Sequence, residues 1–162
     1  MKIVENTRSI ESKVTLICHC GGATGMCLLG LGPSFYPTRS LWKLQRLLDQ
    51  HSSWAIGRSK LKLKLKLDAS VVSVSAWYGS KLVGFGRASS DGVFRAVLWD
   101  ILVSTHWQGK GIGKQIVKKL LTSPSLENVE KVYLMTTKSG GFYQQLGFKY
   151  ADTQKMLFLS KD

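Results

Sequence analysis

Val97-Leu-Trp-Asp-Ile-Leu-Val-Ser-Thr-His-Trp-Gln108-Gly-Lys-Gly-Ile-Gly113-Lys114 is the stretch whose reading decides the fold. It starts as the end of an apolar strand, Val93 to Val103, passes through a glycine-rich turn and enters a helix. A turn of that kind gathers backbone N–H groups without partners at the positive end of a helix dipole. That is an anion site, and the glycines let a phosphate approach the backbone. Lys110 and Lys114 add mobile positive charge. Two common phosphate loops do not fit. A Walker A loop needs one more residue between Gly109 and Gly113, and Gln115 stands where it needs Ser or Thr. A dinucleotide fingerprint needs G-x-G-x-x-G, whereas Gly109, Gly111 and Gly113 are spaced G-x-G-x-G. Only 49 residues follow Gly113, too few to finish a doubly wound sheet.

Outward from this turn, the helix continues with Ile112, Ile116, Val117, Leu120 and Leu121 on one face, and Pro124 stops it. Upstream, Val71 to Tyr78 and Lys81 to Ala88 read as a hairpin across Gly79-Ser80, and Asp91-Gly92 signals a second turn. Downstream, Val132 to Thr136 reads as a strand. Ser139 heads a short helix with Phe142, Tyr143 and Leu146, and Met156 to Leu159 reads as a last strand. Near the N-terminus Val14 to Cys18 reads as a short strand, and 38–51 as a helix with Thr38 as cap and Leu41, Leu44, Leu47 and Leu48 on one face. The run from Arg58 to Leu67 alternates Lys and Leu, which favours a strand by period, while both residue types favour helix by propensity. The pattern leaves both open. Antiparallel strands followed by strand–helix–strand give an α+β domain, an α/β three-layer arrangement. Residues 1–37 form an N-terminal segment without a clear period, and 38–162 read as one domain.

Composition narrows the function. Among 162 residues, 44% are hydrophobic and 20% charged, so a real core is affordable and general disorder is excluded. No apolar run approaches the roughly 18 residues of a membrane helix, and the charged N-terminus does not resemble a secretory leader. Cys18, Cys20 and Cys27 make an odd count that fits a reducing compartment. Cys18-His19-Cys20 lacks the second ligand pair of a zinc site, so no metal is expected. A net charge of +13 points to an anionic partner: nucleic acid, an acidic surface or a phosphate-bearing cofactor. Nucleic acid is disfavoured because no strand face interleaves aromatic and basic residues. Between Arg39 and Lys66 lie eight basic residues and one acid, a solvated face or a binding patch.

Gln108-Gly-Lys-Gly-Ile-Gly113 resembles the Q/R-x-x-G-x-G/A signature of the GNAT superfamily of acetyl-CoA-dependent N-acetyltransferases. Gly141-Phe-Tyr-Gln-Gln-Leu-Gly-Phe148 resembles its second signature, in the right order with a strand between. The resemblance spans Val71 to Leu159. Leu82 to Ala88 and Leu98 to Val103 further resemble the cyanobacterial and plastid branch, which includes serotonin N-acetyltransferases and plastid lysine acetyltransferases.

That resemblance implies a mostly antiparallel sheet, flanked by helices and opened between two parallel strands. It implies acetyl-CoA as co-substrate, its pyrophosphate held by Gln108, Gly109, Lys110, Gly111, Ile112, Gly113 and Lys114. Ile101, Leu102 and Val103, splayed by a bulge, would bind pantetheine. The acetyl group would pass directly to a primary amine, an arylalkylamine or a protein lysine. Tyr143 takes the role of acid toward the departing thiolate; the plain alternative is a packed aromatic. Asp100 is the only acid of its strand, and burial among apolar neighbours would raise its pKa toward that of a base; the plain alternative is a strand-end cap. His106 is the second choice of base, and His51 has no supporting neighbours in sequence. Ser104 and Trp107 stand where relatives carry an acid and a tyrosine, and Thr137-Lys138 replaces a common Asn. The family's acceptor region corresponds to 38–67, which implies a helix for Arg58 to Leu67. Its basic rim disfavours lysine-rich tails and could serve the 3′-phosphate of CoA. A homodimer is compatible with the resemblance, and a membrane partner is not expected. The compartment expected is the cytoplasm, or the plastid stroma for an algal chain. The rival readings are a non-catalytic CoA-binding protein and a basic nucleic-acid binder.

Overall fold

The computed structural model describes residues 14–20 and 41–161. Thr38, Cys27 and most of the segment 1–37 lie outside the described residues. The sheet runs in sequence order, β1 (Val14–His19), β2 (Val72–Tyr78), β3 (Lys81–Ser90), β4 (Arg95–Val103) and β5 (Lys131–Leu134). All neighbours are antiparallel except β4 and β5. The hairpin turns at Gly79, whose φ of 57° suits a residue without Cβ. Asp91 builds the next turn by accepting from the N–H groups of Val93, Phe94 and Arg95.

Helices cover both faces. On one lie α1 (Trp42–His51) and α2 (Lys60–Asp68), burying Leu44, Leu47, Leu48, Leu63 and Leu67 against Trp77, Leu82, Phe85 and Leu102. On the other lies α3 (Ile112–Leu121), whose Ile112, Ile116, Val117 and Leu120 pack on Val72, Val74, Val83 and Leu98. The lysine–leucine run is helical, as the family resemblance implies. Ser59 caps it by accepting from Lys62 N–H, and Leu63 and Leu67, one turn apart, are buried. Alternation leaves Leu61 and Leu65 exposed on other sides of the helix. Propensity and a four-residue apolar pair therefore outweigh the two-residue period.

One expected element is absent. Met156 to Leu159 pairs with no described strand, and its side chains are exposed. Its apolar composition reads as a strand, but no register in the described sheet takes it up. Ser139 does precede the short helix α4 (Gly140–Gln144), although its side chain makes no capping bond.

The buried end of β1 carries an acid-sensitive group. His19 is 2% exposed, and its Nε2 lies 2.6 Å from Ser75 Oγ, which also accepts from Trp77 Nε1 at 2.7 Å. Burial lowers the His19 pKa to about 4. The unfolded chain takes up this proton below about pH 6.5 and the folded chain only near 4. Stability therefore falls as pH drops through that window, by about 3 kcal/mol at 1.36 kcal/mol per pKa unit. Denaturant titrations from pH 7 to 4 should show this loss in the native chain and lack it in His19→Leu. Parallel pH profiles for the two would overturn the assignment.

Candidate active site

The centre of the site is a local failure of pairing. β5 pairs with β4 only from Arg95↔Lys131 to Leu98↔Leu134. β4 runs on to Val103 against β3, with no described strand on its other edge. The β3–β4 register slips there, since Phe85 faces Leu102 while Arg87 faces Trp99. The extra residue lies in β4, opposite Gly86, and Asp100 beside it has a φ of 53°. Bulges of this kind bend a strand and free its backbone groups. Gly86 is required for packing: a Cβ there would stand 2.7 Å from both Ile101 Cδ1 and Ile116 Cγ2.

The glycine-rich turn leaves this strand directly. Thr105–Trp107 form a 3₁₀ turn, Gly109 and Gly111 have φ of 73° and 78°, and α3 starts at Ile112. The first N–H groups of α3 have no acceptors within the helix and point out of its positive end. A Cβ on Gly109 would meet nothing within 4 Å, so its outer side is open to a ligand. Gln108 Nε2 donates to Val103 O at 3.0 Å, which ties the turn to the strand and occupies one of the expected pantetheine groups. Lys110 lies 4.8 Å from the Trp107 ring centre, a cation–π contact that restrains it.

Asp100 does not have the raised pKa that burial among apolar neighbours alone would give it. Its side chain is 6% exposed and surrounded by cations: Arg87 Nε at 2.6 Å, Lys66 Nζ at 2.9 Å and Arg58 Nη1 at 3.7 Å. Burial pushes its pKa up, but Lys66 and Arg87, by charge and hydrogen bond, outweigh it and leave the carboxyl below its usual range. Such a carboxylate holds protons poorly, and both close cations sit on its Oδ2. These pairs tie α2 and β3 to the bulge.

Tyr143 lies in α4, buried between Phe142 and Phe148 with ring centres 4.9 and 5.8 Å away. A Cβ on Gly113 would lie 3.4 Å from Phe142 Cζ and 3.7 Å from Val103 Cγ2. Thus α4 and the end of β4 both meet the start of α3. Burial pushes the phenol pKa up, so Tyr143 keeps its proton at neutral pH.

A cavity of about 700 Å³ opens where β4 ends, between α1 and the β2–β3 turn. His51 and Ser104 line it, with Nε2 3.2 Å from Ser104 Oγ and Nδ1 3.1 Å from Thr105 Oγ1. Burial, then His106 and Lys81, lower the His51 pKa, so the imidazole is neutral at pH 7. The pair is separated by 53 positions, which is why the sequence reading passed over His51. His106 lines the same cavity.

The GNAT acetyltransferase family model matches residues 38–148, which include the splayed strand, the turn and α4. The chain belongs to the GNAT family of acetyltransferases. It is 32% identical over 120 residues to "uncharacterized N-acetyltransferase ycf52" of Gracilaria tenuistipitata var. liui, covering 71% of this chain and 65% of that protein. It is 34% identical over 116 residues to "GCN5-related N-acetyltransferase 2, chloroplastic" of Arabidopsis thaliana, covering 70% of this chain and 45% of that one. The chain thus spans less than two thirds of either relative. Among solved structures, a GNAT family protein of Streptococcus pneumoniae superposes with a TM-score of 0.68 at 21% identity, covering 92% and 99% of the two chains. As a member of the GNAT family, the chain carries the fold and the glycine-rich turn that its sequence announced. Among the described residues, no group of three His, Cys, Asp or Glu side chains could hold a metal ion, and no helix is long and apolar enough to cross a membrane.

Proposed function

We propose that the protein transfers the acetyl group of acetyl-CoA directly to a primary amine, an arylalkylamine of the serotonin kind or a protein lysine. The observation that carries this is the opening of β4 from β5 immediately before a turn with two left-handed glycines and a helix N-terminus. Residues Gln108 to Lys114 suit the pyrophosphate, through backbone N–H groups and the charges of Lys110 and Lys114. The edge of Ile101 and Leu102 that β5 leaves open suits the amide-bearing pantetheine arm, whereas the Val103 carbonyl is held by Gln108. When bound, acetyl-CoA supplies an activated acyl carbon and a thiolate leaving group.

The chain's own groups then handle protons. His51 takes the proton of the acceptor amine through Ser104. Nδ1 faces both Thr105 Oγ1 at 3.1 Å and the Thr105 backbone N–H, which donates to it at 3.5 Å. The relay needs the tautomer with hydrogen on Nδ1, which keeps the shorter contact, gives up the longer one and leaves Nε2 to accept from the Ser104 hydroxyl. A backbone N–H on the free edge of β4 stabilises negative charge on the thioester oxygen. Tyr143 donates its phenolic O–H to the departing sulfur. The compartment we propose is the plastid stroma or the cytoplasm of a cyanobacterial-type cell, from the chloroplastic name of one relative.

Calorimetry with acetyl-CoA, and thiol release with serotonin, tryptamine and a lysine peptide, test this reading. Binding with amine-dependent release supports it, and the productive amine names the class. No CoA binding sinks it. His51→Gln should lower kcat about 100-fold, the scale of a lost proton acceptor, with unchanged CoA affinity. An undiminished rate would remove His51 from the relay.

A further inference from the structure

We propose that the cavity between α1 and the β2–β3 turn selects small primary amines that also carry a phosphate or carboxylate. This rests on the acetyltransferase reading and narrows its acceptor, favouring an anion-bearing amine over serotonin itself or a lysine tail, since it takes the cavity as the place where the amine waits. The position is fixed by Ser104, which follows the last residue of β4 and lines the cavity beside His51. The volume, about 700 Å³, falls within the range of small-molecule sites.

The charge of the lining is one-sided. Lys43 and Arg46 come from α1 and Lys81 from the start of β3, and no acid lines the cavity. None of the ion pairs described for Asp100 and Glu130 involves these three cations. Lys43 is held in place, donating to Ser80 O at 2.9 Å with its ammonium 5.2 Å from the Trp77 ring centre. Leu47 and Leu82 supply apolar wall. Unneutralised cations on a concave, partly apolar surface concentrate anions and repel a simple ammonium ion. An acceptor with its own anion offsets that repulsion. The same positive field lowers the pKa of a bound amine and so raises its neutral, nucleophilic fraction. A lysine-rich peptide tail has the wrong charge for this lining.

The test compares matched pairs: tyramine with tyramine O-phosphate, and glucosamine with glucosamine 6-phosphate. Calorimetry on the full chain with CoA present gives affinities, and thiol release gives KM and kcat. The phosphorylated member of a pair should bind at least tenfold more tightly and show a lower KM. Arg46→Gln with Lys81→Gln, both at exposed positions, should erase that preference, weakening the phosphorylated member and relaxing the repulsion of the unphosphorylated one, with CoA affinity unchanged. Equal binding of both members by the native chain would overturn the proposal. So would a double-variant defect that falls on acetyl-CoA and disappears with dephospho-CoA, because the cations would then serve the 3′-phosphate. Absence of thiol release with every amine would instead defeat the acetyltransferase reading, and the calorimetric pairs would still decide what the cavity prefers.

Discussion

Tyr143→Phe is expected to lower kcat about 1,000-fold while leaving the affinity for acetyl-CoA within about twofold. The size follows from the loss of a proton donor, typically 10²- to 10⁴-fold. A thiol has an ordinary pKa of about 8.5 and a phenol about 10. Full transfer from phenol to a free thiolate is uphill on these values, so the phenol, kept protonated by burial, helps by donating a hydrogen bond to the sulfur as its negative charge develops. Phe preserves the ring contacts with Phe142 and Phe148. No described hydrogen bond is lost with the hydroxyl, so the melting temperature should hardly move. The decisive control is the leaving group. With an acetyl thioester of a much more acidic thiol, departure no longer needs a proton, and the deficit of the variant should shrink toward unity. A deficit that stays about 1,000-fold with both thioesters would assign Tyr143 to packing.

What could be read from the sequence divides along a physical line. The turn was legible because its information is local. Gly109 and Gly111 adopt left-handed backbone that residue type alone anticipates, and the apolar face of α3 follows in the same stretch. The strands of the hairpin were legible for the same reason, through β-branched residues and a Gly-Ser turn. The run from Arg58 to Leu67 was ambiguous because period and propensity disagreed, and only packing of Leu63 and Leu67 under the sheet decided it. Met156 to Leu159 misled because apolar composition was taken as a strand without a neighbour to pair with.

The site chemistry was harder to read because it depends on residues far apart in the chain. Asp100 looked like a carboxylate alone among apolar residues, and along its own strand it is. Its three cations arrive from the loop before α2, from α2 itself and from β3. Local reading therefore gave the sign of the pKa shift wrongly: desolvation was counted and the distant charges were not. His51 was dismissed by the same limitation in reverse. It lacks neighbours in sequence, yet it closes a contact to Ser104 across 53 positions. A histidine ending a helix of the basic region, followed much later by a serine right after the apolar strand, was the available signal.

The second large effect is on stability: Asp100→Asn should cost about 3 kcal/mol and about 10 °C of melting temperature. Removing one partner of a buried ion pair costs about 3–5 kcal/mol because the other charge stays buried. For a domain of this size about 1 kcal/mol moves the melting temperature by 2–4 °C. The lower end applies because Arg58 is 33% exposed and can turn to water, whereas Lys66 and Arg87 are 13% and 11% exposed. Asn tolerates the left-handed backbone at φ 53°, so the cost comes from charge; Ala should cost more by adding backbone strain. The pH dependence separates the parts. A carboxylate held below its usual range gives stability that is present above the unfolded pKa, about 4, and lost as pH falls through the folded value. The acid loss due to Asp100 should therefore vanish in the variant. Burial pushes the Lys66 pKa down, and Asp100 pulls it part of the way back. Without that partner the folded state sheds the Lys66 proton earlier than the unfolded chain does, so the deficit of the variant should shrink as pH rises into the alkaline range. Adding Lys66→Met should recover part of the loss at neutral pH. A variant with native stability and a kcat reduced several hundredfold would reverse this assignment and return Asp100 to the role of base.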